Sequence, residues 1–508
     1  MPRHHHANDF HRCPGRQRGA ALMVMLVIMI MGSAAFLVSS LSRSALQIER
    51  DQKTADALAQ AKEALIGYAT TYRETHLQSG NMIYVPGHLP CPDLGTGTEG
   101  NEAAPCSGKD ISAIGRLPWK TLGLPPLKDS SGECLWYAVS GSFKANTKPD
   151  LLNWDSIGQL DIFDVDGTTK IAGSTPENRA VAVIFSPGTA LASQSRTLSA
   201  GTTECGGNYT ASNYLETSNS INNSAVSAVA NAITPFIAGK ISDTFNDRLL
   251  LITPDEIFAK HIEKRSDFPG TYFNDPMALG NPTNTFGLLQ KLAQCIVNYG
   301  QNNGAGLTDK RLPWAAPLNI TDFANATFDD SVGTLAGRPP FRAQDSDSST
   351  SNTLLNSGNS YRLLRTANCP TGWANVAGDT FTNSQQGWWD KWKDHLFYTV
   401  ADAFKPTSSI ATQTFPCASG TCLTVDGVGP YAAVLIYAGK KLTSPAQSRG
   451  TLAQKIVASN YLEGVNATSI QAGNGTVFTK VISATQNDTL ICINQDLTID
   501  PTCQNPVH

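Results

Sequence analysis

Hydrophobic and polar positions divide the chain sharply near its start. Residues 16–43 read RQRGAALMVMLVIMIMGSAAFLVSSLSR: a basic patch, one glycine, then an uncharged run. Residues 20–41 would span about 33 Å as a helix, enough to cross a bilayer core. Beyond Leu41 the pattern changes without a break. Apolar residues recur at Ala45, Ile48, Ala55, Leu58, Ala61, Leu65, Ile66 and Ala69, with no proline and no glycine between Gly32 and Gly67. That spacing predicts an amphipathic helix fused directly to the apolar one, about 50 residues in all.

The remainder answers a search for internal repeats. ASNYLE occurs at 211–216 and again at 458–463. AVAVIFSPG (180–188) followed by SQSRTL matches AAVLIYAG (432–439) followed by QSRGTL. NDRLLLIT (246–253) matches NDTLICIN (487–494), and CLWYAVSGSF (134–143) matches HLFYTVADAF (395–404). GRLPWKTLGL (115–124) echoes KRLPWAAPLN (310–319), and AKEALIGYATTY (61–72) echoes LAQCIVNYGQNN (292–303). Blocks repeated in one order imply a tandem duplication. Each copy reads as a helix, an RLPW loop and three short strands, centred on 134–140, 180–186 and 247–253, then on 395–400, 432–437 and 488–494. Helix followed by antiparallel sheet is an α+β architecture. The expected organisation is a basic leader at 1–19, a transmembrane helix at 20–41, a first head at 42–263, a linker at 264–284 and a second head at 285–508. A Ser/Thr/Asn-rich insertion at 321–386 reads as a surface loop.

Charge and cysteine content sharpen this picture. Charged residues are 16% of the chain and the net charge is -4, which points away from a nucleic-acid partner. Arg3, Arg12, Arg16 and Arg18 precede the apolar run, so the positive-inside rule puts residues 1–19 in the cytoplasm and the bulk outside. Ten of the 11 cysteines follow the apolar run, an even number suited to disulfides in an oxidising compartment. Cys91 with Cys106, Cys417 with Cys422 and Cys492 with Cys503 are the close pairs. No Cys/His spacing suits zinc.

A basic leader ending in Gly19, an apolar stretch from Ala20 and a long amphipathic continuation resemble the type IV pilins and type II secretion pseudopilins. The resemblance covers about the first 50 residues. It implies cleavage by a prepilin peptidase after Gly19, methylation of Ala20, and a membrane helix that packs with other pilins or pseudopilins through residues such as Leu22, Val24 and Leu26. A long helix laid on a small sheet is also the pilin layout, so the two repeats read as two pilin-like heads in tandem, and the resemblance implies a single-pass bacterial inner-membrane protein as the setting. The family's usual Glu at the fifth mature position is Val24 here. That Glu neutralises a neighbour's terminal amine, and a subunit at the end of a filament has no such neighbour. The large tip subunits of the family share this departure, so the resemblance implies a minor subunit that primes or caps a filament.

Other groups invite chemistry. Asp161, Asp164 and Asp166 in DIFDVDG are a weak calcium candidate, without the spacing of an EF-hand loop and equally readable as an Asp-Gly turn. Trp388, Trp389 and Trp392 suit a sugar or partner surface if exposed, and core packing or contact between heads if buried. Glu216 and Glu463, at the end of each ASNYLE, read first as structural and second as cation-binding or catalytic. No nucleophile elbow, P-loop or dinucleotide fingerprint appears, so no enzyme and no resident cofactor are expected. Two other outcomes stand beside the filament reading: a secretory signal cut near Gly32-Ser33-Ala34, and an uncut signal anchor carrying two ligand-recognition heads.

Overall fold

The computed structural model describes residues 18–76, 84–199, 201–265, 268, 288–302, 311–320, 328–341, 343, 369, 388–406, 417, 421–481 and 483–503. The described residues up to Ala57 form one compact unit and those from Leu58 onward another. Helix α1 is Arg18–Thr75. In the first unit, the side chains at Met23 and residues 25–31 are exposed. Among the described residues no helix is long and apolar enough to cross a membrane. Most side chains of the expected span 20–41, including those of Leu22 and Val24, lie outside the described residues.

In the second unit, α1 buries Leu58, Ala61, Leu65, Ala69 and Tyr72, the spacing of one helical face. The first repeat contains a four-stranded sheet in the order β1-β2-β5-β9, from β1 (Ala113–Arg116), β2 (Trp136–Val139), β5 (Ala182–Ser186) and β9 (Arg248–Ile252). Neighbouring strands are antiparallel, with Trp136 opposite Phe185 and Phe185 opposite Leu249. Trp136, Val183 and Phe185 share a core with Leu160, Ile162, Tyr214 and Phe236. Beside it lies a smaller sheet of β3 (Leu160–Phe163), β4 (Lys170–Ala172) and β8 (Thr234–Ile237), in which β3 and β8 run parallel. A hairpin joins β6 (Thr217–Ser218) to β7 (Ile221–Asn222). Helix α2 (Pro254–Ile257) closes the repeat, and Lys62 of α1 donates to Leu251 O at 2.9 Å and pairs with Glu256 at 2.7 Å.

The second repeat builds the same frame. After helix α3 (Leu288–Asn302) come β10 (Ala336–Gly337), β11 (Leu396–Val400), β12 (Leu423–Val425), β13 (Val428–Tyr437), β14 (Val477–Phe478), β15 (Thr489–Asn494) and β16 (Ile499–Asp500). β10, β11, β13 and β15 pair in the order of β1, β2, β5 and β9, and β12 runs parallel to β14 as β3 does to β8. All six strands expected from the repeats are present, in a mixed α+β chain with antiparallel sheets.

Two expectations change. The RLPW motifs are not equivalent. Leu89 N donates to Phe143 O and Leu312 N to Phe404 O, each at 2.8 Å, while the Tyr137 and Tyr398 hydroxyls donate to Pro90 O and Pro313 O. So RLPW of the second repeat occupies the place of His88-Leu89-Pro90-Cys91 in the first. The partner of Gly115-Arg116-Leu117-Pro118-Trp119 is Gly337-Arg338-Pro339-Pro340-Phe341. Arg116 exchanges backbone hydrogen bonds with Asp93 as Arg338 does with Ala316. The second change follows from this: residues 328–341 of the expected loop insertion carry β10 and the buried Phe328, Arg338 and Phe341. The expected linker at 264–284 lies almost entirely outside the described residues.

Among the described residues five disulfides are formed: Cys91–Cys106, Cys134–Cys205, Cys295–Cys369, Cys417–Cys422 and Cys492–Cys503. They mark an extracytoplasmic protein.

Candidate functional site

Two polar constructions stand out inside the compact unit. The first joins the repeats. The segment after β2 in the first repeat carries Asn153, Trp154 and Asp155. It meets the short helix Trp388–Trp392 and the turn into β11. Asn153 Nδ2 donates to Lys391 O at 2.8 Å and to Asp394 Oδ1 at 3.1 Å. Trp154 Nε1 lies 2.9 Å from His395 Nε2, and its ring lies 5.2 Å from that of Trp392. Asp155 Oδ2 lies 3.0 Å from His395 Nε2, and Asp394 Oδ1 lies 3.0 Å from His395 Nδ1. Lys391 Nζ reaches back to Pro149 O and Asp150 O. At the rim, Lys440 pairs with Asp255 and Lys441 with Glu177.

Trp388, Trp389 and Trp392 are fully buried, so they are core and inter-repeat packing and not a sugar platform. Burial alone would raise the Asp394 carboxyl, but Lys455 and His395 hold it well below the usual carboxylate range. Burial likewise opposes the Asp155 charge, and Arg449 and His395 outweigh it. Burial brings the Lys391 ammonium down to about 8.

Asp155, Asp394 and His395 bring three potential metal-ligand atoms within 4.8 Å. Their oxygens are already matched: Asp394 by Lys455, Tyr461 and Asn153, Asp155 by Arg449. An added cation would face Arg449 and Lys455 at close range. The cluster therefore works as a buried ion network sealing one repeat to the other.

The second construction occurs twice. In the first repeat, Arg196 donates to Asn213 O, Gly188 O and Gln194 Oε1. In the second, Arg449 donates to Asn460 O, Gly439 O and Gln447 Oε1. Each guanidinium lies over a tyrosine of ASNYLE, at 4.7 Å for Tyr214 and 4.5 Å for Tyr461. The glutamine then donates to the motif's glutamate, Gln194 to Glu216 and Gln447 to Glu463. Glu216 Oε2 accepts the N–H of Asn246 and Asp247, while Asp247 Oδ2 accepts the N–H of Glu216 and Asn223 Nδ2. Glu463 accepts from Asn487 N, while Asp488 accepts from Glu463 N and Asn466 Nδ2. Each acid pair pins the ASNYLE turn to the start of a strand, β9 in the first repeat and β15 in the second. The repeated glutamates were legible in the sequence. Their partners Asp247 and Asp488 were visible only as the second letter of the repeated Asn-Asp.

The calcium candidate does not assemble. Asp161 is paired with Lys170 and with Arg179, at 3.1 Å for the latter, because its strand faces those cations. Asp166 instead closes its turn, accepting from Thr168 N and Thr169 N at 2.8 Å each. Gly19 and Ala20 lie in the first turn of α1, and Leu26 is exposed. The chain has no match among protein families, curated proteins or solved structures.

Proposed function

We propose that this chain is a minor, non-enzymatic subunit of a type IV pilus or type II secretion filament. It is inserted in the bacterial inner membrane with residues 1–19 cytoplasmic and the bulk periplasmic. A prepilin peptidase cuts after Gly19, and the mature chain primes or caps the filament among other pilins or pseudopilins.

The observation that carries this reading is α1. One helix runs from Arg18 to Thr75, and so joins the apolar stretch after Gly19 to the helix of the first repeat. A removable secretory signal has no need of such continuity. A filament subunit does, since the same helix must anchor it, pack with its neighbours and carry its folded part. Disulfides fit the periplasmic side. The absence of an acid at Val24 fits an end position, where no neighbouring amine needs neutralising.

The test is complementation of a strain lacking the protein. The full chain restores filament assembly or secretion, and a secreted chain lacking residues 1–41 does not. Full restoration by the truncated chain would overturn the reading.

A further inference from the structure

The duplicated acid pairs hold more than a turn. Among the described residues, Glu216 uses both oxygens as acceptors: Oε1 takes Gln194 Nε2–H, and Oε2 takes two backbone N–H groups. Asp247 uses Oδ2 in the same way, but its Oδ1 is buried and receives no donor. The two carboxyls are neighbours by construction, because each accepts the other's backbone N–H. The donors on them are neutral amides. Arg196 spends its guanidinium on Gln194 Oε1, three carbonyls and Glu133. Asp129 accepts from Ser186 and Gly188, and Arg248 follows Asp247 on β9. In the second repeat Arg449 goes to Gln447, to carbonyls and to Asp155, and Lys440 to Asp255. Two negative charges at this spacing in a dry site are costly without a proton or a cation between them.

We propose that each repeat carries one structural proton, on Asp247 in the first and on Asp488 in the second, shared with Glu216 and Glu463 respectively. It closes the ASNYLE turn onto β9 and β15 respectively, so that losing it loosens both repeats. The assignment to the aspartates follows from the donors: every oxygen of Glu216 is an acceptor, which leaves the proton on Asp247. Burial and the adjacent glutamate charge push both aspartates well above the usual carboxylate range. The folded chain thus holds protons that the unfolded chain releases. This contribution to stability is complete below the ordinary aspartate range and is lost as pH rises through the raised value. The proposal does not depend on the filament reading.

Asn imitates a protonated Asp, with a donor where the proton sits. The double variant Asp247→Asn/Asp488→Asn is compared with the wild type by urea unfolding at about pH 5 and about pH 9. The expected result is a variant midpoint that gains on the wild type as pH rises. Glu216→Gln/Glu463→Gln places donors against donors and lowers the midpoint at both values. A wild-type-to-Asn gap that ignores pH, or Gln variants tolerated better than Asn variants, would overturn the proposal. If the Asn variant does not fold, infrared spectroscopy of the wild type at neutral pH decides: a protonated-carboxyl carbonyl band supports the proton, and its absence removes it.

Discussion

Asp394 shows how one side chain can join two halves of a chain. It is buried, and it meets Asn153 from the first repeat and His395, Lys455 and Tyr461 from the second. Replacing one member of such a network leaves buried charge uncompensated, at a cost of about 3–5 kcal/mol. Asp394→Asn is therefore expected to lower unfolding stability by that amount at neutral pH, measured by denaturant titration. The pH dependence has a definite sign. Neighbouring cations depress this carboxyl, so its contribution is present above the ordinary carboxylate range and is lost as pH falls through the lowered value. The variant should lack that part of the acid-side decline. None of this was legible in GWWDKWKDH. The three tryptophans announced burial or recognition, but Asp155, the acid that meets His395 from the other repeat, is 240 positions away in sequence.

Among the elements, the strands were legible because their β-branched and aromatic runs recur in order, and the burial of α1 follows the spacing of Leu58, Ala61, Leu65 and Ala69. The alignment of the loops was not. Four identical letters, RLPW, outweighed the scattered match that geometry obeys, Gly-Arg-x-Pro-aromatic at 115–119 and 337–341. The physical marker is the glycine. A Cβ on Gly115 would sit 2.6 Å from Asp93 O, and one on Gly337 would sit 2.2 Å from Ala316 O. Each glycine lets a neighbouring backbone approach the edge of its sheet. Gly337→Ala is thus expected to destabilise the chain by about 1–3 kcal/mol, and Gly115→Ala in the same direction, as calorimetry of the single variants would show. A neutral Gly337→Ala would mean that the edge yields freely. The distant disulfides Cys134–Cys205 and Cys295–Cys369 were beyond reach for a similar reason: spacing suggests close pairs only.

For the molecule as a whole, duplication explains what is shared and what is not. Both repeats keep the arginine–tyrosine stack and the acid pair, which act within each repeat. Arg196 meets Glu133 of its own repeat, whereas Arg449 meets Asp155 of the other. One inherited arginine has thus become part of the seal between repeats. The described residues from Leu58 onward form one compact unit. The functional account rests on the other end of the chain, where Arg18 begins α1. Its most direct test is the N terminus of the native membrane-bound protein, read by intact and peptide mass spectrometry. The account predicts a chain beginning at Ala20 with a methylated amine. A chain beginning at Met1, or near Ala35, would contradict it.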